Sequence, residues 1–117
     1  MISIEQVLAN LLKKVAIAIN IKDVKDDATK NALLMQIQAK DKDLAQKLSS
    51  FFVSIDAYSF TQKDIQLRIK ADDVWQQQKQ VMTGALKLKV EETKVLAKNL
   101  NIDISDEIKE IVSMYED

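Results

Sequence analysis

Apolar residues recur along most of this chain at alternating steps of three and four, the spacing of a helical stripe. The first run is Ile4, Leu8, Leu11, Val15 and Ala18, widened by Val7, Leu12 and Ile19. Ser3 stands where an N-cap belongs, and Gln6 follows three residues later, as in a capping box. This predicts a helix that lays one broad face on a core. Residues 20–27, NIKDVKDD, read as a connection, with Asp26 or Asp27 placed to cap the next helix.

A second run follows: Leu34, Ile37, Asp41, Leu44, Leu48, Phe51, Ile55 and Tyr58, with Asp41 its only charged member. Thr61 with Asp64 three residues on marks a helix start. A third run covers Leu67, Ala71, Val74, Gln78, Val81, Ala85, Leu88, Glu92 and Val95, passing Gly84, the chain's one glycine. Two long runs joined by a short turn predict an antiparallel helical hairpin from about residue 28 to 99. With the turn near residue 62, levels pair where residue numbers sum to about 125. Phe51 then stands level with Val74 and Trp75, and Asp41 with Gly84. Asp41 has two readings: a bend shared with Gly84, or the cap of a helix that begins at Lys42.

Asn99 and Asn101 suit a helix end. A last short helix is expected from about Asp103 or Ser105, with Ile108, Ile111, Val112 and Tyr115 as its apolar face. One counter-signal exists. DIQLRIKA and ALKLKV alternate with period two, as strands do. Neither is bounded by turn residues, and the helical spacing passes through both. The expectation is an all-α helical bundle of four to five helices built on a long antiparallel helical hairpin, with residues 1–117 as a single domain.

Composition supports this. One glycine and no proline leave few residues for the tight corners of a β architecture. It also removes chemistry. With no histidine and no cysteine, catalytic triads, thiol nucleophiles, disulfides and thiolate zinc sites are all excluded. The adjacent carboxylates Asp26–Asp27, Asp72–Asp73 and Glu91–Glu92 point about 100° apart on a helix and do not converge. The segment Asn101–Val112 starts like a calcium loop but has Asp106 where glycine belongs and Val112 where glutamate belongs. No enzyme activity and no cofactor are expected. The longest apolar run near the N-terminus is Val15–Ile19, far short of a membrane span. A cytoplasmic, intracellular protein is expected, with no signal peptide visible.

Two features point to partners. The stretch LSSFFVSIDAYSF, residues 48–60, holds four of six aromatics. Beside the second run it carries another stripe, Val53, Ala57 and Phe60, with Phe52 between the two. A helix apolar nearly all round is covered on both sides. The cover is either this chain's own first or last helix, or another chain. Phe52, Val53, Ala57 and Phe60 are therefore the candidate interface, for a protein partner that is first of all a second copy, with a dimer favoured. The second feature is charge. Residues 1–102 carry 16 basic and 12 acidic side chains, and residues 103–117 carry one lysine against six acids. Lys79, Lys87, Lys89, Lys94 and Lys98 form a candidate basic face for nucleic acid, the alternative partner. A single arginine argues against base readout.

Overall fold

The computed structural model describes the backbone of residues 3–67 and 73–116, with the side chains of that set outside 61–75. Every regular element among them is a helix: α1 (Ile4–Ala18), α2 (Lys30–Lys40), α3 (Lys42–Leu67), α4 (Asp73–Leu100) and α5 (Ser105–Val112). The all-α expectation and the long hairpin, α3 against α4, are both seen. Of the period-two segments, 86–90 lies in α4 and 65–67 in α3. Residues 68–71 are outside the described set.

The helix ends follow local chemistry. Ser3 Oγ accepts the Gln6 N–H at 3.2 Å, as its position in the sequence predicts. The α2 cap is Thr29, whose Oγ1 accepts from the Ala32 N–H, and not Asp26 or Asp27. Those aspartates lie in a connection that runs back along α1, where the Lys13 ammonium donates to the Asp26 carbonyl. Asp41 leaves helical geometry at φ −145° and ψ 98°. Its carboxylate accepts the Leu44 N–H at 3.1 Å and opens α3. The second sequence run is therefore two helices, the capping alternative for Asp41. α1 and α4 both end on asparagine at positive φ, Asn20 at 65° and Asn101 at 58°. In each, the following N–H reaches five residues back: Ile21 to Ala16 at 2.9 Å, and Ile102 to Ala97 at 3.0 Å. This is the Schellman closure, which asparagine tolerates better than other side chains.

α1 and α2 run parallel. Glu5 pairs with Lys30 at their N-terminal ends, and Lys40 donates to the Asn20 carbonyl at their C-terminal ends. α3 returns across them, and α4 runs antiparallel to α3. Asp41, Leu44 and Lys47 share a groove with Glu92, Val95, Leu96 and Asn99, so level residues sum to about 140. This corrects the pairing near 125. α3 does not restart at Thr61 but continues to Leu67. Asp41 and Gly84 do not share a level. The expected contact of Trp75 with Phe51 or Phe52 falls outside the described side chains.

One core draws on all five helices: Leu8, Leu11, Leu12 and Val15 from α1, Leu33 and Ile37 from α2, Leu48, Phe51 and Ile55 from α3, Leu86 and Val90 from α4, and Ile108 and Ile111 from α5. On α4 the buried line is Leu86, Val90, Thr93 and Ala97, flanked by Met82, Leu96 and Leu100. The run picked out by spacing, Val81, Ala85, Leu88, Glu92 and Val95, faces solvent instead. The molecule is elongated, 50 × 26 × 23 Å, with a radius of gyration of 15.3 Å. A compact chain of this length has about 13 Å.

Gly84 is exposed in mid-helix, and a methyl group there would meet nothing within 4 Å. Gly84→Ala is therefore expected to stabilise the fold by about 0.5–1 kcal/mol through helix propensity and the unfolded state. Urea denaturation checks it. A loss of stability would mean that something not seen in the free chain occupies that space.

Candidate interaction surface on the α3–α4 hairpin

The four residues of the candidate interface do not stay together. Phe52 is buried at 4% exposure, its ring 6.0 Å from Phe51 and covered by the Lys30 ammonium at 5.5 Å from the centroid. α2 supplies that cover, so Phe52 is removed from the set: its own chain buries it. Ala57 is half-buried. Val53 and Phe60 remain exposed. The C-terminal segment takes the inner side of α3 instead. Tyr58 donates its hydroxyl hydrogen to the Met114 carbonyl at 3.1 Å and meets Tyr115 edge-on at 6.3 Å.

Sequence reasoning missed the other half of this surface. Val81, Leu88 and Val95 of α4 are exposed like Val53 and Phe60, the five lying between 58% and 72%. Their position follows from helical geometry. The groove holding Lys47 of α3 and Glu92 of α4 marks one side of the hairpin. At about 100° per residue, Val81, Ala85, Leu88 and Val95 turn to within about 60° of Glu92, onto that side. Ser54, Ser50 and Ala57 turn the same way from Lys47, with Val53 and Phe60 on the outer shoulder beyond them. With levels summing to about 140, Phe60 stands beside Val81, Ala57 beside Gly84, and Val53 beside Leu88. The result is two apolar stripes, one on each helix, because Val53 and Phe60 turn about 120–140° from Lys47, away from α4. The signal that could have found it was the third run itself, which identified an apolar stripe but assigned it to the core.

The α4 stripe is free of charge over its distal half. Within residues 50–60 and 80–88 the charged side chains are Asp56 and Lys87. Lys87 turns away from the α4 stripe by about 100°, whereas Asp56 stands within about 60° of both Val53 and Phe60. Lys87 lies instead over the Tyr115 ring at 5.6 Å.

The five lysines of the candidate basic face are divided. Lys87, Lys94 and Lys98 share one flank of α4 at i, i+7 and i+11. Lys89 stands roughly 160° around the helix from Lys87–Lys98 and pairs with Glu92 at 3.1 Å. Lys94 pairs with Glu91 at 3.1 Å, and Lys79 is half-buried nearer the hairpin tip. Lys94 and Lys98 rim a cleft with Lys109 above Ala97, Ile104 and Ile108. Asp103 on the same rim accepts from the Ser105 hydroxyl and from the Ser105 N–H. These two bonds hold its carboxyl below the ordinary carboxylate range. Asp103 thereby works as a cap for α5.

Among the described residues the most buried acid is Glu107. Its carboxylate meets the Lys14 ammonium at 2.7 and 3.0 Å, and Lys14 also donates to the Asp103 carbonyl at 2.9 Å. This pair fastens α5 to α1. Among the described residues no three acids gather to hold a metal, and no helix is long and apolar enough to cross a membrane. Comparison with known protein families, curated proteins and solved structures finds no match to this chain.

Proposed function

We propose that this protein is a non-enzymatic interaction module whose working surface is the outer face of the α3–α4 hairpin. It acts in an intracellular, reducing setting, which a cysteine-free chain fits. One observation carries the reading: five large apolar side chains, Val53 and Phe60 on α3 and Val81, Leu88 and Val95 on α4, stand 58% to 72% exposed along the two helices of one hairpin. Scattered exposed apolar residues need no explanation, but stripes repeated at helical spacing on both helices of one hairpin mark surfaces that another molecule covers. The three-four spacing of Val53, Ala57 and Phe60, and of Val81, Ala85 and Leu88, is what an opposing helix meets. The partner is therefore a helical protein surface. A nucleic-acid partner would need the five lysines of α4 to act together, and their division around the helix favours the apolar face.

The test separates docking surface from core. At protein concentrations low enough to keep the chain monomeric, Phe60→Gln with Leu88→Gln is expected to keep the helical circular dichroism and the thermal midpoint within about 2 °C, because exposed side chains contribute little to the monomer. The apolar-dye binding of the folded protein should fall. A large loss of stability would show that this face is covered within its own chain, and the interaction reading would be abandoned.

A further inference from the structure

We infer that the cleft where the end of α4 meets α5 binds an acidic peptide segment of another protein, one that carries apolar residues between its carboxylates. The site is separate from the hairpin stripes: none of Val53, Phe60, Val81, Leu88 and Val95 lines it.

The cleft follows from how α4 ends. Asn101 at φ 58° turns the chain, and the Ile102 N–H closes on the Ala97 carbonyl at 3.0 Å. The chain then doubles back into α5 and leaves a cleft of about 740 Å³, open to solvent along one side. Ala97, Ile104 and Ile108 form its floor. Lys94 and Lys98 stand on the α4 bank, one turn apart, and Lys109 on the α5 bank.

The charges of this cleft are unbalanced. Its lining holds three lysines and one acid, Asp103, whose carboxylate is taken up by the Ser105 hydroxyl and N–H. Lys94 shares its charge with Glu91, but Lys98 and Lys109 form no ion pair among the described residues. The imbalance also runs against local composition. Residues 103–117 hold six acids and one lysine, and that lysine lines the cleft. Asp106, Glu107 and Glu110 of the same helix turn about 60–160° from Lys109, on the side away from Ser105 and Val112.

The arrangement of the cleft selects the ligand. A small molecule is held in a pocket that buries most of its surface, which an open cleft does not do. Here an apolar floor lies between two cationic banks, complementary to a segment that alternates carboxylates with apolar side chains. The lysine ammonium is a point charge on a flexible stem, so it meets such carboxylates without demanding one geometry. Single-stranded nucleic acid would bring phosphates to the same lysines, but its bases stack on aromatic rings, and none lines the cleft.

Fluorescence anisotropy with the full chain and a fluorescein-labelled Asp-Leu-Glu-Leu-Asp peptide tests this. Saturable binding is expected below about 1 mM protein. Lys98→Glu with Lys109→Glu should weaken it at least about 10-fold with circular dichroism unchanged. Lys22→Glu with Lys25→Glu makes the same charge change on the exposed α1–α2 connection and should weaken it less than about twofold. Should the first pair unfold the chain, Lys98→Gln with Lys109→Gln reads the same contacts. Amide shifts on adding the peptide should concentrate in residues 94–112. No binding to about 1 mM, or equal weakening by the two glutamate pairs, overturns the inference. So does equal binding of a peptide with serine in place of leucine, which would be charge attraction alone, or an oligothymidine that displaces the acidic peptide at lower concentration. The hairpin reading is independent: Phe60→Gln with Leu88→Gln should bind the peptide as the wild type does, and amide shifts centred on Val81–Val95 would overturn the cleft and leave that reading standing.

Discussion

Leu86→Ala is expected to destabilise the protein by about 2–5 kcal/mol, and Leu88→Ala by less than about 0.5 kcal/mol. The two leucines are two positions apart in the sequence and about 160° apart around the helix, and Leu86 is 0% exposed against 60% for Leu88. Leu86 lies in the line with Val90, Thr93 and Ala97 that faces the shared core. Removing its isobutyl group loses the transfer free energy and leaves a cavity that rigid neighbours fill poorly. A domain of this size has roughly 5–15 kcal/mol in all, so the loss is a large fraction of it. The same truncation at Leu88 removes atoms that water already touches. Urea denaturation of both variants, at protein concentrations low enough to keep the chain monomeric, measures the contrast. Equal costs, or a larger cost at Leu88, would mean that α4 is rotated by about 100° from the orientation described.

That contrast also shows where the sequence was legible and where it stopped being so. The helices, the Ser3 cap, the Asn101 ending and the stripe of α1 were readable because each depends on residues within a few positions of one another. Asp41 was readable as one of two alternatives, and its carboxylate on the Leu44 N–H decided between them. The orientation of α4 was not readable, because the helix carries two stripes. Val81, Ala85, Leu88 and Val95 are the larger and more regular one. Leu86, Val90, Thr93 and Ala97 are the one that the shared core covers, with Ala97 toward α5. Local spacing holds no information about which stripe a distant helix will choose. The turn was misplaced for a related reason: Thr61 and Asp64 resemble a helix start, but with no glycine or proline nearby nothing ends α3 there. Of the candidate interface, the doubled stripe of α3 was visible as an excess of apolar surface. That α2 and Lys30 cover Phe52, while no described helix covers Val53 and Phe60, depends on contacts across 20 or more positions.

The Lys14–Glu107 pair is the other place where a single substitution should matter, and it joins residues that sequence spacing could not connect. Lys14 is interior to α1 and Glu107 lies in the first turn of α5. The Glu107 side chain is only 7% exposed and that of Lys14 40%. Lys14→Ala leaves a buried carboxylate without its cation and removes the hydrogen bond to the Asp103 carbonyl. Breaking a fully buried pair costs about 3–5 kcal/mol; with Lys14 partly in water the expected cost is about 1–3 kcal/mol. The damage should be local first. Amide exchange in Ile108–Val112 should accelerate before that of α1, because α5 is eight residues long and cannot persist undocked. Lys14→Met combined with Glu107→Leu should recover most of the loss, since it removes the desolvated charge and keeps the apolar contact between α1 and α5. If Lys14→Ala costs no more than the exposed control Lys22→Ala, or if the double variant is as unstable as the two single losses added together, the pair is not what fastens α5 to α1. The docking would then rest on Ile108 and Ile111 alone.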